Sequence, residues 1–299
     1  MPPRLLVMEG NTADARAKQV AAGGTALSEG YADVLRRVLP GCVVDICYPA
    51  DPGANLPLGG LDGYDGVAIT GSALNVYDGG PAIERQIELT RAILRSKTPL
   101  FGSCWGLQLI TVAAGGVVRP NPKGREIGIA RRIALTSAGR AHPMYAGKGS
   151  TFDAITVHLD EVVTLAPGTT VLAANAVSGV QAAELKLDGA QASGAQASGV
   201  QAWGVQAWGV QYHPEFSFND IAVVIRRYGS RLVREGFFTD LAARDAYTAD
   251  LEALDREGDL KPIAWRYGID STVLDPAVRT AELANWVTHQ VMPAYRRRR

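Results

Sequence analysis

The 299-residue chain is poor in cysteine and histidine and carries no excess of charge of either sign. Its three cysteines, Cys42, Cys47 and Cys104, have no regular spacing, which argues against a disulfide framework and favours a reducing compartment. The 30 basic and 30 acidic residues cancel, so the composition does not indicate a nucleic-acid partner. No Cys/His cluster has the spacing of a metal site, and we therefore expect neither a metal nor another cofactor.

Long apolar runs are also missing. No segment approaches the roughly 18 apolar residues that a membrane-spanning helix needs, and the first residues lack an apolar stretch of signal-peptide length. These absences predict a cytoplasmic protein without a membrane partner. A hydrophobic content of 47% with 20% charged residues is nevertheless typical of a protein with a substantial core.

The most informative stretch is Gly102-Ser103-Cys104-Trp105-Gly106, which follows a short apolar run. The spacing G-x-C-x-G is the thiol counterpart of the nucleophile elbow, a hard turn between a strand and a helix. Glycines are needed there because side chains on either side of the nucleophile would clash. The following helix is apolar all round, which predicts burial. Cys104 then lies at a helix N-terminus, where the dipole favours a thiolate nucleophile.

Strand-like and helix-like segments alternate in the first half of the chain. This alternation predicts a mostly parallel central sheet with helices on both faces. In such sheets ligands bind at the carboxyl ends of the strands, which places Gly71-Ser72-Ala73 beside Cys104. The predicted elements are strands at 4–8, 42–47, 66–70 and directly before Cys104, and helices at 26–39, 81–95 and directly after it.

The predicted secondary structure changes in the second half of the chain. From Arg125 onward, short strand-like runs separated by turns predict a smaller β-rich part, and helices are expected over 220–234, 240–257 and 275–291. We expect one α/β domain over residues 1–235 and a helical extension over 236–299. The extension should pack on the domain through one apolar face, formed by Val278, Leu283, Trp286 and Val287.

Residues 189–213 repeat with a period of five: GAQAS, GAQAS, GVQAW, GVQAW, GVQYH. A strand alternates faces every two residues, so an odd period turns each successive copy over. We expect only the last copy to have a fixed register, and Gly189–Ser198 to be mobile or looped out as a surplus insertion. The reservation concerns Trp203 and Trp208, because a buried aromatic side chain would be costly to lose.

A thiolate nucleophile needs a base, and the base needs an orienting partner. Among the four histidines, His142 and His289 fit structural roles better, and His158 is an intermediate case. His213 stands out because a carboxylate, Glu215, follows it two positions later, with Pro214 between them. At a strand end, residues two apart point the same way, so Glu215 can hold the His213 ring in one tautomer.

Gly102–Gln108 together with Gly209–Phe216 resemble the class I (triad) glutamine amidotransferases, especially free-standing proteins similar to the amidotransferase domain of GMP synthase. The resemblance covers about residues 4–220 and implies a flavodoxin-like α/β fold. It also implies a triad with Cys104 as nucleophile, His213 as base and Glu215 as orienting group.

The resemblance further implies an oxyanion hole and a substrate pocket. The oxyanion hole would use the backbone N–H of Trp105 and that of Ser72, in a turn where the family usually has Gly-Gly-Pro and this chain has Gly-Ser-Ala. The implied substrate contacts are Gly71, Gln108, Val157 and His158.

The implied reaction is attack of Cys104 on the γ-carboxamide of glutamine, release of ammonia and hydrolysis of the thioester to glutamate. Three alternatives stay open. The first is a glutaminase that passes ammonia to a separate synthetase subunit, since no P-loop or synthetase module is visible. The second is a free-standing γ-glutamyl hydrolase or peptidase that acts on other γ-glutamyl amides. The third is a non-catalytic regulatory or binding protein that has kept the fold.

Overall fold

Strands and helices alternate along the first 113 residues of the computed structural model. The model describes residues 1–54, 57, 60–187, 205–258 and 260–299. The strands are β1 (Arg4–Met8), β2 (Val43–Cys47), β3 (Gly66–Ile69), β4 (Leu100–Ser103), β5 (Val117–Pro120), β6 (Glu126–Leu135), β7 (Thr151–His158), β8 (Asp160–Thr164), β9 (Thr169–Ala174), β10 (Ala182–Leu187) and β11 (Val205–Val210).

Helices occur between the strands and dominate the C-terminal part. They are α1 (Ala13–Ala21), α2 (Leu27–Val38), α3 (Pro81–Ser96), α4 (Trp105–Ala113), α5 (Ser137–Ala141), α6 (Phe218–Tyr228), α7 (Ser230–Arg234), α8 (Leu241–Glu257), α9 (Lys261–Arg266), α10 (Ser271–Leu274), α11 (Pro276–Arg279), α12 (Ala281–Trp286) and α13 (Met292–Arg297). A π-helical turn at Val287–Val291 joins the last two. Within the described residues, no helix combines the length and the hydropathy that a membrane crossing requires.

One sheet organises the described chain, with the strand order β2-β1-β3-β4-β11-β10-β9-β6-β7. The pairings from β2 to β11 are parallel, and those from β11 to β7 are antiparallel. Strands β5 and β8 form a separate antiparallel pair. The predicted α/β class is therefore confirmed, and the β-rich second half extends the same sheet through antiparallel strands.

Both faces of the sheet are buried, as the uninterrupted apolar strands predict. Leu6 and Met8 of β1 pack on one side in a cluster with apolar residues of α3 and α4. Leu5 and Val7 point to the opposite side, where they join residues of α2 and α12. This alternation within a single strand is the two-residue period of β structure.

The structure corrects several predicted elements. Helix α1 was not predicted because its sequence, ADARAKQVA, has no apolar stripe; it begins at the Thr12 cap, which accepts a hydrogen bond from the Ala15 N–H at 3.4 Å. Strands β5 and β8 were also missed. The helix expected over 220–234 breaks at Gly229, whose φ of 57° is left-handed. The helix expected over 275–291 begins as the short α11 and α12 and continues to Arg297.

The five-residue repeat contributes a central strand. In β11, Trp208 pairs with Phe101 and Gly209 with Gly102 of β4, and Trp208 is 1% exposed. The prediction that only the last copy has a fixed register is therefore wrong, because the copy before it is paired on both sides. The reservation about Trp208 is confirmed. Gly189–Ser198 and Trp203 lie outside the described residues.

The C-terminal helices contact the sheet directly. Leu283, Trp286, Val287 and Val291 are buried in the same cluster as Leu5 and Val7. The Trp286 ring lies 5.9 Å from that of Phe101 in β4. A Cβ atom at Gly66 of β3 would lie 2.8 Å from Val291 and 2.9 Å from Trp286. These contacts support packing of the extension, and the domain boundary at residue 235 stays a prediction.

We expect Trp286→Ala to lower the free energy of unfolding by about 3–5 kcal/mol, because the residue is fully buried and its loss leaves a cavity. Urea denaturation measures the change. Trp265→Ala is the matched control, since Trp265 is 77% exposed. Equal effects of the two substitutions would contradict the packing described here.

Candidate active site

Cys104 forms the turn between β4 and α4. Its backbone has φ 51° and ψ −99°, a strained conformation for a residue other than glycine, at a cost of about 1–3 kcal/mol. The flanking glycines are required sterically. A Cβ at Gly102 would lie 2.5 Å from the Gly106 carbonyl carbon, and one at Gly106 would lie 2.8 Å from the Ile69 oxygen. The turn is also anchored to the neighbouring strand, because the Cys104 N–H donates to the Val210 carbonyl at 2.7 Å.

His213 lies three residues beyond β11, the strand that pairs in parallel with β4. Its backbone N–H donates to Ile155 O at 2.8 Å, and its ring stacks on Phe216 with centroids 4.0 Å apart. Nδ1 is 2.7 Å from Glu215 Oε1. The two side chains meet through a turn, closed by the Phe216 N–H on His213 O at 3.3 Å, rather than through the strand alternation that we expected.

Electrostatics favour a protonated His213. Burial lowers the pKa of the ring, but the Glu215 carboxylate and the neighbouring Cys104 outweigh burial and raise it to about 10. Within the described residues, His213 Nε2 has no hydrogen-bond partner. Cys104 Sγ instead donates to the Val157 carbonyl at 3.5 Å. Of the two ring nitrogens, Nδ1 is therefore paired with Glu215 and Nε2 is unpaired within the described residues.

Gly71 leaves the space that the His213 ring occupies. A Cβ atom at this position would lie 2.7 Å from His213 Cε1. The turn that contains Gly71 thus contacts the imidazole closely, and a larger residue would displace the ring.

The Gly71-Ser72-Ala73 turn is held by the loop after β1. Ser72 Oγ donates to Gly10 O at 2.9 Å, and the Ala73 N–H donates to Asn11 Oδ1 at 2.9 Å. The backbone N–H groups of Ser72 and Trp105 have no hydrogen-bond partner in the described part of the chain. Both groups remain available for an anionic oxygen, although the usual Gly-Gly-Pro sequence is missing. Sequence reasoning did not assign this supporting role to Gly10 and Asn11.

Two cavities meet at Cys104. The smaller has a volume of about 170 Å³ and is lined by Gln108, His158 and Leu159 among others. The larger has a volume of about 590 Å³ and extends toward α1, α6 and α7. Cys104 and Val157 line both of them.

The predicted pocket residues differ in what they can offer a ligand. Gln108 is buried, and its Nε2 donates to Gln211 Oε1 over a long 3.5 Å. His158 uses both ring nitrogens within the protein: Nε2 lies 2.9 Å from Glu126 Oε2 and Nδ1 lies 3.0 Å from Asp160 O. His158 therefore forms part of the wall, and its ring nitrogens are already occupied.

The smaller cavity is also lined by three charged residues that sequence reasoning missed, Arg125, Asp160 and Arg231; Arg231 lines the larger cavity as well. Arg125 donates to Glu235 Oε2 and to the Tyr228 hydroxyl, each at 3.0 Å. Asp160 accepts a hydrogen bond from the Tyr77 hydroxyl at 3.0 Å, and burial raises the pKa of its carboxyl group. Asp160 closely follows the Val157-His158 segment, which was a usable signal, whereas no local pattern marks Arg125.

The larger cavity combines apolar walls with cationic groups, none of which was predicted. Its apolar lining includes Leu27, Phe216 and Val224, and its cationic side chains are Lys18, Arg227 and Arg231. These residues come from α1, from α2 and from the stretch 216–231, which lies about 190 residues later, so only the fold brings them to Cys104.

Comparisons with known proteins agree with this architecture. The family model "Glutamine amidotransferase class-I" matches residues 41–225. A Pseudomonas protein named gamma-glutamyl-L-1-hydroxyisopropylamide hydrolase is 34% identical over 302 residues, which cover 99% of this chain and 95% of the relative. A glutamine-hydrolyzing GMP synthase of Thermomicrobium roseum is 33% identical over 113 residues, 37% of this chain and 19% of that protein.

The fold has a close counterpart among solved structures. A glutamine amidotransferase from Thermotoga maritima superposes with a TM-score of 0.65 and covers 97% of this chain and 99% of its own. The two sequences are 18% identical, so this likeness concerns the fold alone.

We expect Glu215→Gln to lower the pKa of His213, because the substitution removes the carboxylate charge that raises it. The folded-state pKa lies above the ordinary value of 6.5. Protonation of the ring therefore stabilises the fold fully below pH 6.5, and this contribution is lost as the pH rises toward 10.

An NMR titration of the His213 ring measures the change. Glu257→Gln, at the exposed end of α8, is the control and should leave the titration unaltered. A His213 titration that is the same with and without the Glu215 carboxylate would refute this account of the pair.

Proposed function

Because this chain belongs to the class I glutamine amidotransferases and is an amide-hydrolysing enzyme, we propose that it hydrolyses substituted γ-glutamyl amides through a Cys104 thioester. The relative that matches 99% of the chain is named as a hydrolase of such an amide. The observation that carries the proposal is the 590 Å³ cavity beside the nucleophile. An ammonia leaving group is about the size of a water molecule, roughly 30 Å³, and needs no such space.

In the proposed reaction, the Cys104 thiolate attacks the γ-carbonyl carbon, and a carbon–sulfur bond forms. The carbon–nitrogen bond then breaks, and His213 Nε2 gives its proton to the departing amine. The neutral ring then takes a proton from water, and the resulting hydroxide hydrolyses the thioester. Glutamate leaves, and the Cys104 thiolate and the protonated ring are regenerated. Glu215 acts through His213 as the positioning residue, since it contacts Nδ1 at 2.7 Å.

The tetrahedral intermediate carries an oxyanion. We assign its stabilisation to the backbone N–H groups of Ser72 and Trp105, which are unpaired within the described residues. Such a donor is typically worth about 3 kcal/mol in the transition state. Backbone donors do not require particular side chains, which explains how Gly-Ser-Ala can replace Gly-Gly-Pro.

The smaller cavity suits the glutamyl part of the substrate. Its volume of about 170 Å³ fits a short side chain with a charged head. Arg125 and Asp160 supply opposite charges for an α-carboxylate and an α-ammonium group, and Gln108 and the Gly71 backbone lie close to the reacting end.

A second candidate is a glutaminase that passes ammonia to a synthetase subunit. The similarity to a GMP synthase over 113 residues favours it. Both candidates use the same chemistry at Cys104 and are distinguished by the leaving group. A cytoplasmic location is consistent with either.

Glutamate release from glutamine and from a panel of substituted γ-glutamyl amides tests the proposal. We expect a higher kcat/KM for at least one substituted amide than for glutamine. If glutamine is the best substrate, or if it becomes so when a synthetase partner is added, the glutaminase alternative holds instead.

We expect Cys104→Ala to reduce turnover by roughly a thousandfold or more, because no thioester can form. Cys42→Ala is the matched control, since this half-buried thiol lies away from both cavities. Circular dichroism should show an unchanged fold in both variants. Normal turnover by Cys104→Ala would exclude the mechanism.

We expect His213→Ala to lower kcat more than Glu215→Gln does, because an orienting group usually contributes less than the base that it orients. Steady-state kinetics with the best amide substrate give both values. The reverse order would mean that the two roles are wrongly assigned.

A further inference from the structure

Resting on the proposed amide hydrolysis, we infer that the larger cavity selects a leaving amine that ends in a carboxylate. The substrate class is then a γ-glutamyl amino acid or a short γ-glutamyl peptide, rather than glutamine or a neutral γ-glutamyl alkylamide. The glutamyl part occupies the smaller cavity, and the amine part extends past His213 toward α1 and α6.

The charged residues that line the larger cavity are all cationic. Lys18, Arg227 and Arg231 line it, and none of the described lining residues is acidic. Lys18 pairs with Asp14 at 2.7 Å, so the charge that is not balanced comes from Arg227 and Arg231. At a partly enclosed protein surface, the attraction between opposite charges is several times stronger than in bulk water. An anionic group on the leaving amine is therefore favoured there, and a cationic group is disfavoured.

Two of these cations have partners that do not neutralise them fully. Arg227 donates to Gln19 Oε1 at 2.5 Å, which is an uncharged partner, and no ion pair of Arg227 is found within the described residues. Arg231 shares the Glu235 carboxylate with Arg125, at 2.7 and 3.0 Å, so one negative charge serves two guanidinium groups. Both arrangements leave a net positive charge.

Gln19 holds the Arg227 side chain at the cavity. The residue is 1% exposed and lines the cavity. Because its oxygen accepts from Arg227, its Nε2 is oriented as a donor, and this nitrogen is buried without a hydrogen-bond partner in the described chain. A buried unpaired donor is costly and rare. Here the nitrogen lies against Gly24, where an added Cβ atom would be 2.6 Å from it, so it is enclosed by the protein and not offered to a ligand. A carboxylate bound beside Arg227 would pair with the guanidinium group.

The order of residues along the cavity matches the shape of such a substrate. Phe216 stacks on the His213 ring, so the part of the cavity wall next to the reacting groups is apolar. Val224 and Arg227 are three positions apart on α6 and share one helix face. An amine with a short aliphatic stem would contact Phe216 and Val224 and place its carboxylate at Arg227.

The test compares γ-glutamylalanine, whose amine part carries a carboxylate, with γ-glutamylalaninol, which has a hydroxymethyl group in its place. Glutamine is included as a third substrate. Glutamate release by the purified full chain gives kcat/KM for each. We expect γ-glutamylalanine to exceed γ-glutamylalaninol by at least tenfold. In Arg227→Gln, this ratio should fall by at least fivefold.

Arg234→Gln is the control, because Arg234 lies on α7 but does not line the cavity; its ratio should equal that of the unchanged protein. Equal rates for the two amides, or a ratio that Arg227→Gln leaves intact, would overturn the inference while the amide hydrolase proposal stands. If glutamine is hydrolysed faster than both amides, the proposed function itself fails, and the inference fails with it.

Discussion

The parallel pairing of β4 with β11 is the constraint on which the site depends. The two strands are about 100 residues apart in the chain, yet Gly102 pairs with Gly209 and Ser103 with Val210. This register places Cys104 immediately beyond one strand and His213 three residues beyond its neighbour. Without that pairing, the Cys104 turn and His213 would have no fixed relation.

The neighbouring loops hold this arrangement through buried hydrogen bonds. Trp105 Nε1 donates to Gln86 Oε1 at 2.9 Å, and Gln86 Nε2 donates to Gly10 O at 3.2 Å. The same carbonyl of Gly10 accepts from Ser72, so α3, α4 and the loops after β1 and β3 share one network. Because buried polar groups are costly to leave unpaired, the network fixes the turn beside Cys104 in one position.

The C-terminal helices also reach this region. Glu282 of α12 accepts a hydrogen bond from Tyr212 at 2.6 Å and pairs with Lys148 at 2.5 Å, and the Lys148 and Glu282 side chains are almost entirely buried. Tyr212 directly precedes His213. Removing one partner of a buried ion pair leaves an uncompensated charge and is strongly destabilising. The helices therefore support the segment that carries the histidine, in addition to covering the sheet.

The sequence alone determined the features that depend on local spacing: the glycine-flanked turn at Cys104, the His213–Glu215 pair and the alternation that defines an α/β sheet. Only the tertiary structure decided that a repeat copy containing Trp208 forms a central strand, and that Arg125 and Arg227 lie near Cys104. The physical reason is that local periodicity reports which face of an element is buried, whereas strand order and cavity lining arise from contacts between residues far apart in the chain.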